Sequence, residues 1–469
     1  MNKKILILGA GISGLSVAHF LNKEGYGITV LEKNDVAGGS MVSVSKNGFL
    51  IDYGPNSGLE TTPLIGQLIE DLKLQDELIY ANKKGNKRYI LKNNRLYPLP
   101  MNPSMFFKTK LFSGKAKLRL LAEPLIGRSR DGYYQSISEF VKRRLGKEFL
   151  DYAINPFVAG VYAGNPDQLS VKSAFPKLYA LEEKYGGLIV GAIKSMKERK
   201  HRQEKPKQSA KMFSFKSGMQ TLPKAIAKEL RDKVIFSAEV NGIEKKGNGY
   251  EVTYTHQGIV KTTECDILLS AIPAYAAASL FKNIDEKLAM HLSGIFYPPV
   301  YVLYIGYEKS SIKQPLDGFG FLIPSKENKS YLGAIWSSVI FENRSENDKS
   351  SFTLFIGGAR NPEVISADRE ALFKKVLNEF HEIMGITFQP VFSTFKFWQK
   401  AIPQYNTGYI EHENYFNDFE KKNPGILLGG NYRGGISVGD CIKNSQVLTN
   451  KIKKLCASVE SKEKAQGQE

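Results

Sequence analysis

Cysteine is scarce in this chain of 469 residues: Cys265, Cys441 and Cys456 are the whole complement, and no two stand at C-x-x-C spacing. A disulfide framework and a cysteine-built structural zinc site are thereby excluded, and a reducing compartment fits. Histidine is also rare, six in all, and His19, His201 and His256 fall in helical or turn contexts without a matching partner pattern. No metal site, no Ser-His-Asp arrangement and no general base is assigned. Long apolar runs are missing as well. The longest, Ile267 to Phe281, contains Ser270 and Pro273 and is shorter than the roughly twenty residues of a bilayer span. Ile5 to Leu8 breaks at Gly9 with no small-residue cleavage site, so it reads as a first strand rather than a secretory signal. Acidic side chains are the minority, 47 against 65 Lys and Arg, for a formal charge of +18. An anionic partner is expected: nucleic acid, a membrane or an acidic metabolite.

Hydrophobic residues at 42%, charged at 24% and aromatic at 11% are the proportions of a folded globular protein. The length exceeds one hydrophobic core and predicts two or three domains. Ile5–Leu8, a helix through Leu15, Val17, Ala18 and Leu21, and Ile28–Leu31 form one βαβ unit. Val234 to Ala271 reads as a β-meander leading into a buried strand, Pro298 to Gly358 as a second β-rich stretch, and Gly425 to Leu455 as a final strand-glycine-helix unit. Leu96 to about Lys211 is helical in character. After Ala457 the chain is polar without a burial pattern, which predicts a frayed tail.

Gly9-Ala10-Gly11-Ile12-Ser13-Gly14 follows the first strand and opens the first helix. In such a turn the first glycine permits the tight bend, the second lets a pyrophosphate approach the backbone, and the third lets helix and strand pack closely. Glu32 ends the next strand, where a carboxylate binds ribose hydroxyls and repels a 2′-phosphate. Gly38-Gly39 brings a second side-chain-free segment towards the same crevice, which favours FAD over NAD. Gly429 to Gly439 follows the strand Ile426–Leu428 and opens a helix, so its amides can face an electron-rich group such as a reduced flavin.

These motifs resemble those of the FAD-dependent protoporphyrinogen oxidases, within the amine-oxidase-like flavoproteins. The resemblance covers nearly the whole chain. It includes Asp52-Tyr-Gly-Pro-Asn-Ser57, Asn155-Pro-Phe-Val-Ala-Gly-Val-Tyr-Ala-Gly-Asn-Pro166, Leu169 to Phe175, Gly186 to Gly191, Ser214 to Met219, Tyr297 to Val300, Gly318-Phe-Gly320 and Leu332-Gly333. It implies an α/β fold: a discontinuous Rossmann-like FAD-binding domain (1–80, 212–278 and 415–457), a mixed-sheet substrate domain (81–95 and 279–414), a helical membrane-binding domain (96–211) and a disordered tail (458–469). FAD contacts carry over to Gly9, Gly11, Ser13, Gly14, Glu32, Gly38, Gly39 and the backbone of Val240, with Gly430, Ser437 and Val438 at the isoalloxazine end. Ser40 departs from relatives that follow the glycine pair with a basic residue.

For the substrate, the resemblance implies that Arg88 pairs with a propionate, Phe319 and Leu322 sandwich the macrocycle, the Gly160 carbonyl faces the pyrrole N–H groups, and Trp336 forms a wall. The implied reaction is a six-electron oxidation of protoporphyrinogen IX in haem synthesis, with dioxygen giving hydrogen peroxide. Proton removal falls to a pyrrole nitrogen relay or water. Read from residue types alone, Arg88 is a solvated charge, and Phe319, Leu322 and Trp336 are core packing.

Between Asn82 and Arg130 the basic residues face one acid, Glu123, and are interleaved with Met105, Phe106, Phe107, Leu111 and Phe112. Such a surface suits anionic lipid, as does a second cluster from Lys194 to Lys211, although a solvated basic face over an ordinary core has the same composition. Nucleic acid fits the charge, but no motif supports it. The expectation is therefore a cytoplasmic protein held at the inner face of the cell membrane, with a homodimer as a candidate assembly. Three alternatives stay open: coproporphyrinogen III oxidation, amine oxidase or carotenoid desaturase activity, and a non-catalytic carrier of FAD and tetrapyrrole.

Overall fold

The computed structural model describes residues 3–201 and 210–466. Its centre is a five-stranded parallel sheet in the order Val234–Ile235, Ile28–Leu31, Ile5–Leu8, Ile267–Ser270, Ile426–Leu428. Three widely separated stretches of chain thus meet in one sheet. All four residues of Ile5–Leu8 are buried, as a parallel strand covered on both faces requires. Ile5 and Ile7 pack with Leu15, Ala18 and Leu21 of helix Ile12–Lys23 and with Ile442 of the C-terminal helix. Leu6 and Leu8 turn the other way, towards Val252 and Tyr254 of the antiparallel meander Ala238–Lys246, Gly249–His256, Ile259–Cys265.

The second sheet is mixed and seven-stranded, in the order Phe392–Trp398, Val300–Glu308, Lys349–Gly357, Gly333–Ile335, Gly318–Leu322, Lys87–Lys92, Arg95–Pro98. Only Lys87–Lys92 and Gly318–Leu322 pair in parallel. Helix Arg369–Met384 covers one face through Val376, Phe380 and Met384. Across the other face lie Phe49 and Ile51 of a hairpin together with Ala159 and Ala163 from the helix Asn155–Tyr162 and its cap. From Pro103 to His201 the chain is helical. Its charged heart is Arg144, fully buried, which donates to Glu182 at 2.6 Å and to Glu123 at 2.9 Å.

Several expected boundaries move. Residue 95 does not end the substrate-sheet segment, because Leu96 and Tyr97 pair with Leu91 and Ile90 and the strand runs to Pro98. The boundaries at 278 and 414 cut through helices Ala274–Phe281 and Tyr409–Lys422, which stay whole because Phe281 packs on Phe419. The final helix extends from Val438 to Gln466, past the point where the polar composition predicts disorder. The Lys, Glu, Ala and Gln of that stretch are good helix formers. Residues 202–209 of the second basic cluster and 467–469 of the tail lie outside the described residues.

Candidate functional site

The glycine turn at Gly9–Gly14 is built as its spacing predicts. Gly9 has φ +99°, and a Cβ on Gly14 would lie 2.2 Å from the Gly9 carbonyl oxygen, so helix and strand meet only because residue 14 has no side chain. A Cβ on Gly11 would meet nothing within 4 Å. No side chain caps helix Ile12–Lys23, which leaves its first-turn N–H groups directed at that open space. Gly38 closes the crevice from the other side: its N–H donates to the Ala10 carbonyl at 2.9 Å, and it bridges to Gly11. A Cβ on Gly39 would come within 3.4 Å of the Gly11 Cα. Gln220 pins this second glycine segment, donating to the Ala37 carbonyl and accepting from Ser43 N–H.

Glu32 is buried, with one carboxylate oxygen accepting from Ala10 N–H at 2.7 Å and the other from the backbone and side chain of Asn34. It therefore clamps the glycine turn to the end of the second strand. Backbone bonds from Ala238 N–H to the Glu32 carbonyl and from Glu32 N–H to Ile235 bring Val240 alongside. Directly after Val240 the meander register slips, with Val240 opposite Tyr254 and Gly242 opposite Thr253. Such a bulge interrupts the ladder locally. At the far end, the loop between Leu428 and Val438 carries Gly430 at φ +119° and Ser437, whose hydroxyl caps the long helix by accepting from Asp440 N–H at 3.1 Å. An uncapped helix N-terminus, a side-chain-free cradle and a buried carboxylate one strand away are what a dinucleotide requires, so these residues fit FAD.

The residues expected to meet substrate gather through one irregularity. In the parallel pair, Gly318 sits opposite Lys87 and Gly320 opposite Arg88, so Phe319 is an extra, bulged residue. The bulge aims its ring at the face that carries Arg88, whose guanidinium lies 5.3 Å from the ring centroid. Gly320 makes this possible: at φ +137°, any Cβ would stand 2.1 Å from the Ala334 carbonyl oxygen. Leu322, opposite Ile90, points to the same face, and a Cβ on Gly160 would fall 2.6 Å from its Cδ2. Helix Asn155–Tyr162 ends on left-handed Ala163, and Gly164 N–H turns back to Val158. The Gly160 carbonyl, in the last turn, thereby loses its helical donor.

Arg88 is the exposed guanidinium of this face. Lys87 beside it is paired with Asp317 at 2.5 Å, whereas among the described residues no carboxylate bridges to Arg88. Its side chain reaches solvent, yet crowding on the sheet lowers its pKa by desolvation, and the guanidinium remains charged.

Trp336 is a correction. It is fully buried on the opposite face, stacked on Tyr89 at 5.7 Å and packed with Phe321 and Phe380, so it belongs to the core beneath helix Arg369–Met384 and walls no cleft. Residue-type reasoning also missed three neighbours. Phe157 and Val161 are exposed on the same helical face as Gly160, a stripe legible in the i, i+3, i+4 spacing. Arg360 donates to the Asn155 side chain at 2.8 Å and to the Ile323 carbonyl, tying that helix to the Leu322 strand, and burial pushes it down to about 10. No sequence pattern marks it.

A flavin-binding oxidoreductase is the class that this crevice and sheet define. The model of the flavin containing amine oxidoreductase family matches residues 12–445, and the chain belongs to that family. Protoporphyrinogen oxidase 2, chloroplastic/mitochondrial, of Arabidopsis thaliana is 34% identical over 466 residues, covering 94% of this chain and 92% of its own. Coproporphyrinogen III oxidase of Bacillus subtilis (strain 168) is 27% identical over 464 residues, covering 96% and 97%. A crystal structure of a protein from Exiguobacterium sp. 255-15 superposes with a TM-score of 0.80 at 22% identity, covering 96% of this chain and 99% of that one, a likeness of fold. The resemblance read from the motifs is borne out, and the chain is an FAD-dependent oxidoreductase.

Proposed function

We propose that this protein oxidises protoporphyrinogen IX to protoporphyrin IX, with dioxygen as final acceptor. The observation that carries the reading is the bulge at Phe319, which stacks an aromatic ring on a guanidinium without a carboxylate partner, beside Leu322 and the free carbonyl of Gly160. A flat apolar macrocycle bearing propionates needs an apolar wall, a rim cation and an acceptor for pyrrole N–H groups. In this reading Arg88 binds one propionate, Phe319 and Leu322 hold the ring plane, and the Gly160 carbonyl accepts from the pyrroles. Phe157 and Val161 keep water from that edge. Residues 9–14, 32, 38–39 and 240 hold the adenosine and pyrophosphate of FAD, and 430–438 its ring end. FAD, when bound, supplies the electron-acceptor chemistry.

The membrane reading gains from Glu123. The lone acid of the basic stretch is fully buried, accepting from Arg144 and from the N–H groups of Leu188 and Ile189. What that stretch shows to solvent is therefore cationic, around Met105, Phe107, Leu118, Leu121 and Leu125, all exposed. Leu111 and Phe112 do not join them, being buried with Ile90 and Tyr152. No helix among the described residues is long and apolar enough to cross a membrane, so peripheral docking on the inner face of the cell membrane is proposed.

Coproporphyrinogen III is the second reading, favoured by Arg360 near the Leu322 strand, another guanidinium that no carboxylate bridges among the described residues. Porphyrin fluorescence is followed aerobically with both porphyrinogens on the flavin-loaded enzyme. Oxidation of protoporphyrinogen IX with hydrogen peroxide release is expected. Preference for coproporphyrinogen III moves the substrate assignment, and no oxidation of either refutes it.

A further inference from the structure

The loop from Gly429 to Ser437 has no regular structure of its own. Gly430, Gly434 and Gly435 have φ of +119°, +75° and +126°, so its shape must be imposed by groups outside it. One hydroxyl does most of this. Tyr405 Oη donates to the Asn431 carbonyl at 2.8 Å and accepts from Gly435 N–H at 3.0 Å, joining the two limbs of the loop. Tyr409 Oη donates to the next carbonyl, that of Tyr432, and Asn444 Nδ2 to that of Arg433 at 2.8 Å. Three successive carbonyls are thus held by side chains outside the loop. In a trans peptide the N–H opposes its carbonyl, so the N–H groups of Tyr432 and Gly434 point away from these braces.

The braces are rigid. Tyr405 and Tyr409 are buried at 3% and 2% exposure, with their ring centroids 4.5 Å apart and the rings tilted by 30°. Ser170 N–H donates to the Tyr405 carbonyl and Gln404 N–H to Phe296, which fixes the brace to the helical region and to the segment before the second sheet. Burial also raises the Tyr405 hydroxyl well above its ordinary pKa, so it stays a donor across the working pH range.

We propose that Tyr405 is a positioning residue for the flavin: through its bridge between Asn431 and Gly435, it orients the loop's amide dipoles at the ring end of the cofactor and so sets its reduction potential. The proposal rests on the reading that this loop faces the isoalloxazine, and Tyr405 itself touches no reacting atom. Fixed dipoles aimed at a site of developing negative charge act without reorganising.

The test uses the flavin-loaded enzyme and Tyr405→Phe, which keeps the ring and removes the bridge, with Gly430→Ala as the probe of the loop itself. Visible flavin spectrum, midpoint potential by dye equilibration, anaerobic rate of flavin reduction and KM are read in parallel. Tyr405→Phe is expected to shift the band and lower the potential, and to slow reduction about fivefold to twentyfold, the scale of two lost hydrogen bonds, with KM unchanged. Tyr409→Phe, which removes one bond, gives a smaller shift in the same direction. A Tyr405→Phe enzyme with lower thermal stability but unchanged spectrum and potential overturns the proposal, leaving a packing role. If Gly430→Ala also leaves the spectrum and potential unchanged, the loop's placement at the flavin falls as well.

Discussion

Replacing Arg88 by alanine separates substrate binding from everything else in the molecule. The guanidinium forms no salt bridge among the described residues and reaches solvent from the last strand but one of the second sheet, so the fold loses only its contact with the Phe319 ring. Exposed cation–π contacts are worth about 0.5–1 kcal/mol, and Tm and FAD content should hold. A charge-assisted hydrogen bond to a propionate is worth about 1.5–3 kcal/mol, which at 1.4 kcal/mol per decade raises KM by about ten- to a hundredfold. Binding lost equally from ground and transition states leaves kcat near its starting value. Arg88→Lys should recover part of KM, because a point charge remains while the planar fork and the stack are lost. The assay is steady-state porphyrin fluorescence over a range of protoporphyrinogen IX, with flavin absorbance per chain measured on the same samples. A KM within twofold of the parent removes Arg88 from the site, and a loss of FAD would place it at the wrong end of the molecule.

Glu32→Ala removes the acceptor for Ala10 N–H and Asn34; FAD occupancy should drop and stability fall by about 1–3 kcal/mol, and a fully loaded, equally stable variant contradicts the ribose clamp. Flotation with anionic vesicles should capture the protein at low salt and release it at high salt, and Leu121→Asp with Leu125→Asp should abolish capture without loss of flavin. Unchanged binding by that double variant refutes the proposed docking face.

The candidate nucleotide crevice was legible because its chemistry is local. Gly9 to Gly14 and Glu32 sit on one strand-turn-helix-strand unit, and the contact of Gly38 with Ala10 and Gly11 spans fewer than thirty residues of chain. The candidate substrate face was legible only in part, since Phe319 faces Arg88 through a bulge that adds one residue to the register. A one-residue slip exchanges the two faces of a strand, and nothing in the local alternation announces it. Trp336 fell victim to this: its aromatic character suits either face, and only the pairing of Gly320 with Ile335 and the stack on Tyr89 place it beneath the sheet. Leu111 and Phe112 were misplaced for a related reason, because the interleaving of apolar and basic residues is the same whether the apolar ones meet lipid or Ile90 and Tyr152. Tyr405 carries no periodic signal, and its partners lie 26 and 30 residues further along the chain.

The charge at the substrate face also separates the proposed reaction from amine oxidation, the chemistry in the family's name. A protonated amine approaching Phe319 meets the Arg88 guanidinium 5.3 Å from the ring centroid, with no bridging carboxylate to offset it. The nearest carboxylate along the strand pair, Asp317, is already committed to Lys87 and Tyr89. Two like charges brought together there cost several kcal/mol once water is displaced, and that penalty falls on the cationic substrate alone. An anionic macrocycle gains where the amine loses, so one unpaired arginine acts as attraction and exclusion together. The same argument orders the porphyrinogens by carboxylates rather than by ring size, since the ring contacts at Phe319, Leu322 and Gly160 are common to both. Selectivity between two and four propionates then rests on whether Arg360, held by Asn155 and Ile323, can release a donor to a second carboxylate. Arg360→Met, which keeps the buried stem and removes the charge, should leave protoporphyrinogen oxidation within about threefold, because Nη1 and Nη2 are spent on the Asn155 side chain and the Ile323 carbonyl rather than on substrate. A larger loss confined to coproporphyrinogen III would show that the second guanidinium reads the extra propionates.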